Sequence, residues 1–116
     1  MADLHDEIKQ EIANNTIVVY GKGTKDAPRC GFTLETIQFF NAFGYPFEVV
    51  DVLENMPKRE ALAQRTDWPT LPKVFIGGQF YGDTDILGPM AQSGDLGKVL
   101  EKAFEGKGVT PTIQLR

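Results

Sequence analysis

The sequence predicts an α/β fold in which a four-stranded mixed sheet is flanked by helices. Three observations predict it. The short runs Ile17-Val18-Val19-Tyr20 and Phe47 to Val52 are separated by a stretch of helical period, and strand, helix and strand in that order imply a parallel crossover. Gly77-Gly78 lies between two strand-like runs and signals an antiparallel hairpin. At 116 residues the chain has length for one core and too little for two.

The elements follow in order. Leu4, Ile8 and Ile12 recur at four-residue steps, which makes Asp3 to Ala13 an amphipathic helix with Asn14-Asn15 as its polar stop. His5, the lone histidine, reads as a surface residue there, because no second metal ligand clusters with it. Ile17 to Tyr20 is unbroken and apolar, as suits a central strand covered on both faces. Lys22 to Arg29 is a loop rich in Gly, Lys and Pro. Leu34, Ile37, Phe40 and Phe43 then mark a helix that begins at Cys30 and ends at Gly44.

After the strand Phe47 to Val52, Pro57 to Arg65 predicts a short helix with Asn55 as cap. Trp68-Pro69-Thr70-Leu71-Pro72 leads into the hairpin Lys73 to Ile76 and Gln79 to Tyr81. Gly82 to Asp85 suits a turn into a helix through Ile86, Leu87 and Met90, although Gly88-Pro89 opposes helix there. Asp95 is expected to cap a last helix carrying Leu96, Val99, Leu100 and Phe104. Residues 1–105 are expected to form the folded domain and 106–116 a flexible tail, in which Ile113 and Leu115 are the apolar residues able to dock.

Composition narrows the function classes. Twelve basic residues against 16 acidic give a net charge of -4, and no basic face of the kind that displaces counterions from nucleic acid is visible. Lys22, Lys25 and Arg29 form the one local concentration, and a small anionic ligand suffices to explain them. No apolar run approaches a membrane span, and the start Met1-Ala2-Asp3-Leu4-His5-Asp6 lacks the features of a secretory signal. A cytoplasmic location in a reducing cytosol is the expectation, and one cysteine, which forbids an internal disulfide, fits it.

That cysteine, Cys30, sits where the first strand hands over to a helix, in Ala27-Pro28-Arg29-Cys30-Gly31-Phe32-Thr33. A lone cysteine is often a small buried hydrophobe. Here the flanking Pro28-Arg29 and Gly31 give a loop-to-helix setting that favours exposure. Unpaired N–H groups and the helix dipole stabilise an anion at such an N-terminus, so the thiol should ionise more readily than that of an unstructured peptide, with Lys22 and Arg29 pushing the same way.

Lys22, the extended loop to Cys30, Cys30-Gly31-Phe32-Thr33, Arg59, Trp68-Pro69-Thr70-Leu71-Pro72 and Gly82 to Asp85 stand in an order and spacing that closely resemble the monothiol glutaredoxins of the Cys-Gly-Phe-Ser class. The likeness spans roughly residues 3 to 104. It implies the thioredoxin fold, a cis peptide before Pro72 and a site for glutathione beside Cys30. In that site Lys22 and Arg59 would face the glycyl carboxylate and Leu71 would pair with the cysteinyl backbone. Asp83, Thr84 and Asp85 would receive the γ-glutamyl end, with backbone N–H groups on its carboxylate and Asp85 on its amine. Phe32, Thr70 and Pro72 complete the expected lining. Two departures stand out: Thr33 replaces the usual serine and keeps its hydroxyl, while Asp83-Thr84 replaces glycine and cysteine and adds a carboxylate where a ligand carboxylate is expected.

With Thr33 where a dithiol enzyme has its second cysteine, chemistry must recruit an outside thiol. One implied role is carriage of a 2Fe-2S cluster. Such a centre takes four thiolates, and two chains with two glutathiones supply them, so the protein would be a homodimer when loaded and a monomer when empty. BolA-like proteins and iron-sulfur acceptors are the partners the resemblance implies. The other is glutathione-dependent oxidoreductase activity, with Cys30 taking glutathione from a modified protein. A third role, as an interaction domain on a redox fold, would leave Cys30 dispensable.

Overall fold

The computed structural model describes residues 3–112. Helix α1 (Leu4–Asn14) begins at Asp3, whose carboxylate accepts from the Asp6 N–H at 2.8 Å and so satisfies an otherwise unpaired donor. Strand β1 (Ile17–Gly21) is buried throughout. It leads through the Lys22–Arg29 loop to α2 (Gly31–Phe43), which ends at a left-handed Gly44. Strand β2 (Glu48–Asp51) follows, and then α3 (Met56–Thr66), capped by the Asn55 side chain on the Lys58 N–H. The hairpin β3 (Lys73–Ile76) and β4 (Gln79–Gly82) turns at Gly77-Gly78. Helices α4 (Thr84–Ser93) and α5 (Asp95–Ala103) close the fold.

The four strands lie in the order β2-β1-β3-β4. Strands β1 and β2 are parallel, with Val19 opposite Val49, while β1–β3 and β3–β4 are antiparallel. The expected mixed sheet with a parallel crossover is therefore present, and the unbroken apolar run of β1 does lie at its centre. Alternate β1 residues divide between two cores, because successive strand side chains point to opposite faces. Ile17 and Val19 pack with Ile37 and Phe40 of α2, Leu87 of α4, and Leu96 and Leu100 of α5. Val18 and Tyr20 pack with Ile8 of α1 and with Ala61 and Leu62 of α3. A fully buried side chain of this size contributes about 1.5–3 kcal/mol by its removal from water.

One expectation at a helix end is corrected. The cap of α5 is Gly94, in a left-handed conformation, and Asp95 is already the first helical residue. Helix α4 runs through Gly88-Pro89, as the run Ile86, Leu87 and Met90 predicts, despite the poor helix propensity of those two residues. Pro89 cannot donate to the carbonyl one turn earlier, that of Asp85, but both residues are exposed and water can take up that carbonyl. Burial of Leu87 then outweighs the poor local propensity.

Beyond Gly106 the chain touches the domain as far as it is described. Val109 packs against the α2/α4/α5 core, and the Thr112 N–H donates to the Gly44 carbonyl at 3.0 Å. Ile113 and Leu115 lie outside the described residues. His5 is exposed, as expected. Among the described residues no helix is long and apolar enough to cross a membrane.

Candidate functional site

The site is assembled where β1 ends and α2 begins. Past Gly21, the loop folds back on itself: Arg29 donates its N–H to the Lys22 carbonyl at 2.8 Å, and Thr24 and Ala27 exchange main-chain hydrogen bonds. Gly23 has φ +93, and a Cβ there would lie 2.5 Å from the Ala27 carbonyl, so the closed loop needs glycine. Asp51, at the end of β2, accepts from the N–H groups of Gly23 and Leu53, both at 2.9 Å. Those bonds hold its carboxyl below the usual range, helped by the Arg29 guanidinium.

This arrangement corrects the reading of the three loop cations. Lys22 alone faces the cavity described below. Lys25 lies over the Phe47 ring, 3.8 Å from its centroid, and donates to the Phe47 carbonyl. The Arg29 guanidinium helps keep the Asp51 carboxyl charged and does not line the cavity.

Cys30 is the N-cap residue of α2, half-exposed and with extended backbone. Its thiol is held below the ordinary cysteine value chiefly by the backbone N–H groups of Phe32 and Thr33, which outweigh the opposing effect of burial, with Lys22 and the Thr33 hydroxyl adding less. Thr33 is itself fully buried, and its Oγ1 accepts from the Lys22 N–H at 3.1 Å. A Cβ on Gly21 would approach its methyl to 2.8 Å. The extra carbon that threonine carries over serine therefore fills the space above a glycine.

All the residues nominated from the sequence meet in one cavity of about 430 Å³: Lys22, Cys30, Phe32, Arg59, Thr70, Leu71, Pro72, Asp83, Thr84 and Asp85. Lys22 comes from the loop and Arg59 from α3, where its guanidinium is steadied by the Leu53 carbonyl at 3.2 Å. The Leu71–Pro72 peptide is cis. Among the described residues no hydrogen bond takes up the N–H or carbonyl of Leu71. Phe32 is 67% exposed at the rim. A larger and shallower depression of about 790 Å³ lies at the other end of the sheet, and Cys30 is not part of it. Chemistry, not size, singles out the smaller cavity.

At the far wall Asp83 caps α4, its carboxylate accepting from the Asp85 N–H at 2.9 Å. The added carboxylate thus occupies a donor that was expected to meet a ligand carboxylate. Glu35 and Pro69 also line the cavity and were not foreseen. Glu35 is brought there by the packing of α2 on α4, where the Thr84 hydroxyl donates to its Oε1 at 3.0 Å. Nothing in its local sequence marks it. Chemically, the cavity offers cations at one side, carboxylates and a helix N-terminus at the other, unpaired backbone between them, and one acidified thiol. A short peptide with a free amine and more than one carboxylate complements those features.

Comparison with known proteins follows the same lines. A family model described as glutaredoxin matches residues 17–81. A protein of Synechocystis sp., named as a ycf64-like monothiol glutaredoxin, is 40% identical over 97 residues, covering 84% of this chain and 91% of its own. A chloroplastic monothiol glutaredoxin of Oryza sativa subsp. japonica is 40% identical over 93 residues, and the chain spans 55% of its length. The solution structure of reduced poplar apo GrxS14 superposes with a TM-score of 0.79 at 37% identity, over 87% of this chain and 93% of that one.

Proposed function

Because the chain belongs to the glutaredoxin family, in its monothiol branch, and carries the thioredoxin fold, we propose that it binds glutathione and shares a 2Fe-2S cluster between two copies of itself. Glutathione is a tripeptide with two carboxylates and one amine, and the cavity can meet each. Lys22 and Arg59 take the glycyl carboxylate. The unpaired N–H and carbonyl of Leu71 pair with the cysteinyl backbone. The N-terminus of α4 takes the γ-glutamyl carboxylate and Asp85 its amine, while Phe32, Thr70 and Pro72 wall the sulfur.

One observation carries the reading: an acidified, half-exposed thiolate stands alone in a cavity whose charges suit a second thiol carrier. Four thiolates are needed for a 2Fe-2S cargo, and two Cys30 with two glutathiones supply them. The loaded species is a homodimer and the empty one a monomer. BolA-like proteins and iron-sulfur acceptors are the partners in this reading, in a reducing compartment with the cytosol as the default.

The test is oxygen-free reconstitution with iron, sulfide and glutathione. A brown dimer that is lost on Cys30→Ser supports the carrier, and absence of any chromophore refutes it. A second reading is favoured by the lowered thiol pKa. The Cys30 thiolate attacks the disulfide of a glutathionylated protein, the protein thiolate leaves, and a Cys30–glutathione disulfide forms. A free glutathione thiolate then attacks that disulfide and releases oxidised glutathione, restoring Cys30. Brisk turnover by a colourless monomer would favour this second reading over the first.

A further inference from the structure

Lys73 opens β3 immediately after Pro72 and is 1% exposed. Lysines seldom reach such burial without a carboxylate partner. None serves this one: among the described residues the ion pairs are those of Lys58 with Glu7 and Glu11. Its ammonium Nζ donates instead to main-chain carbonyls, those of Trp68 and of Thr70, the latter at 2.8 Å. Burial lowers the pKa of this group to about 8, so the position keeps a cation at a cost that methionine would avoid.

The two carbonyls belong to the segment that delivers Leu71. Trp68, Pro69 and Thr70 lie in neither helix nor strand, so their course depends on such tertiary bonds. On the other side Leu71 is tied through the Pro72 ring to β3, which starts at Lys73 itself. Lys73 is absent from the cavity lining, while Pro69, Thr70, Leu71 and Pro72 all belong to it.

We propose that Lys73 is the positioning residue for the peptide backbone of the bound tripeptide: by gripping the Trp68 and Thr70 carbonyls, its ammonium holds the N–H and carbonyl of Leu71 in the attitude that pairs with the ligand. This inference rests on the glutathione reading and assigns to that site a residue that does not touch the ligand.

The experiment uses the full chain, with S-methylglutathione as an unreactive probe, titrated by calorimetry. Alkylation of Cys30 by iodoacetamide is the second readout. Lys73→Met fills the same space without donors. It is expected to weaken binding about tenfold, the size of one lost charge-assisted hydrogen bond. The alkylation rate should stay within about twofold of the native chain, because the thiol is tuned by α2 and Lys22 and not by this segment. Lys73→Gln keeps a shorter donor able to reach one carbonyl and should lose about threefold in affinity. Native affinity in Lys73→Met overturns the role of Lys73 while leaving the glutathione reading intact. So does a parallel fall in affinity and alkylation, which would mark general collapse of the site. If the methionine variant does not fold, native affinity in Lys73→Gln overturns the proposal in its place. A native chain that shows no saturable binding overturns the glutathione reading, and the role of Lys73 with it.

Discussion

Replacing Asp83 with glycine should tighten glutathione binding, and the structure gives the size of the gain. Asp83 places a carboxylate at the N-terminus of α4 and occupies the Asp85 N–H at 2.9 Å. A ligand carboxylate seated there meets a like charge at about 5 Å, which costs on the order of 1 kcal/mol at a half-exposed site, or roughly half that after screening at physiological salt. Freeing the Asp85 N–H for the ligand contributes about 0.5–1.5 kcal/mol more. Together these predict a gain of about 1–2 kcal/mol, or roughly five- to thirtyfold in Kd. The stability cost of losing this cap to glycine is only a few tenths of a kcal/mol. The backbone of Asp83 is extended, with φ -141, so glycine adopts it without strain. Titration with S-methylglutathione at low and high salt measures the effect, and Asp83→Asn, which keeps an amide oxygen as cap, isolates the charge. The gain should shrink as salt rises. Unchanged or poorer affinity in Asp83→Gly would refute the reasoning.

Other consequences are open to measurement. The midpoint of the pH profile for Cys30 alkylation should lie below that of an unstructured cysteine, because the α2 N–H groups lower its pKa; Lys22→Met should move that midpoint upward. Gly21→Ala should cost about 1–3 kcal/mol through the clash with the Thr33 methyl, and Thr33→Ser in the same chain should recover part of it, a coupling visible in a double-mutant cycle by urea melts. Lys58, 3% exposed, bridges Glu7 at 2.9 Å and Glu11 at 2.7 Å, tying α3 to α1. Lys58→Met should cost about 1–2 kcal/mol in chemical denaturation, less than a fully buried pair would, since Glu7 is 52% exposed and can be rehydrated. Burial opposes the Lys58 charge, but its bonds to Glu11 and Glu7 outweigh that and raise its pKa. The stability it lends is therefore complete below the pKa of an unfolded lysine and is lost only as pH rises through the higher folded value. The difference between native and Lys58→Met chains should stay flat across neutral pH and narrow in strong alkali.

Local rules made much of this protein legible. Unbroken apolar runs and runs of period 3.6 gave the elements, Gly77-Gly78 the hairpin, and Asn55 a helix cap, because each depends on residues within a few positions of one another. The thiol at the start of α2 was visible for the same reason: strand, loop and helix signals adjoin Cys30 in the chain. The nominated cavity residues were legible through spacing matched to a family, which encodes distant contacts that propensity does not.

Tertiary structure decided what depends on distant partners. Leu87 carries α4 through Gly88-Pro89 because burying that side chain outweighs one missing main-chain bond. Lys25 is engaged by Phe47, and Arg29 acts on Asp51, partners far along the chain. Glu35 enters the cavity through Thr84, and Lys73 is buried against carbonyls that sequence alone would have left to water. The amino-acid order sets the intrinsic preferences of short segments, whereas the fate of a charge depends on which groups the fold brings within a few ångströms of it, since its energy depends on distance and on the loss of surrounding water.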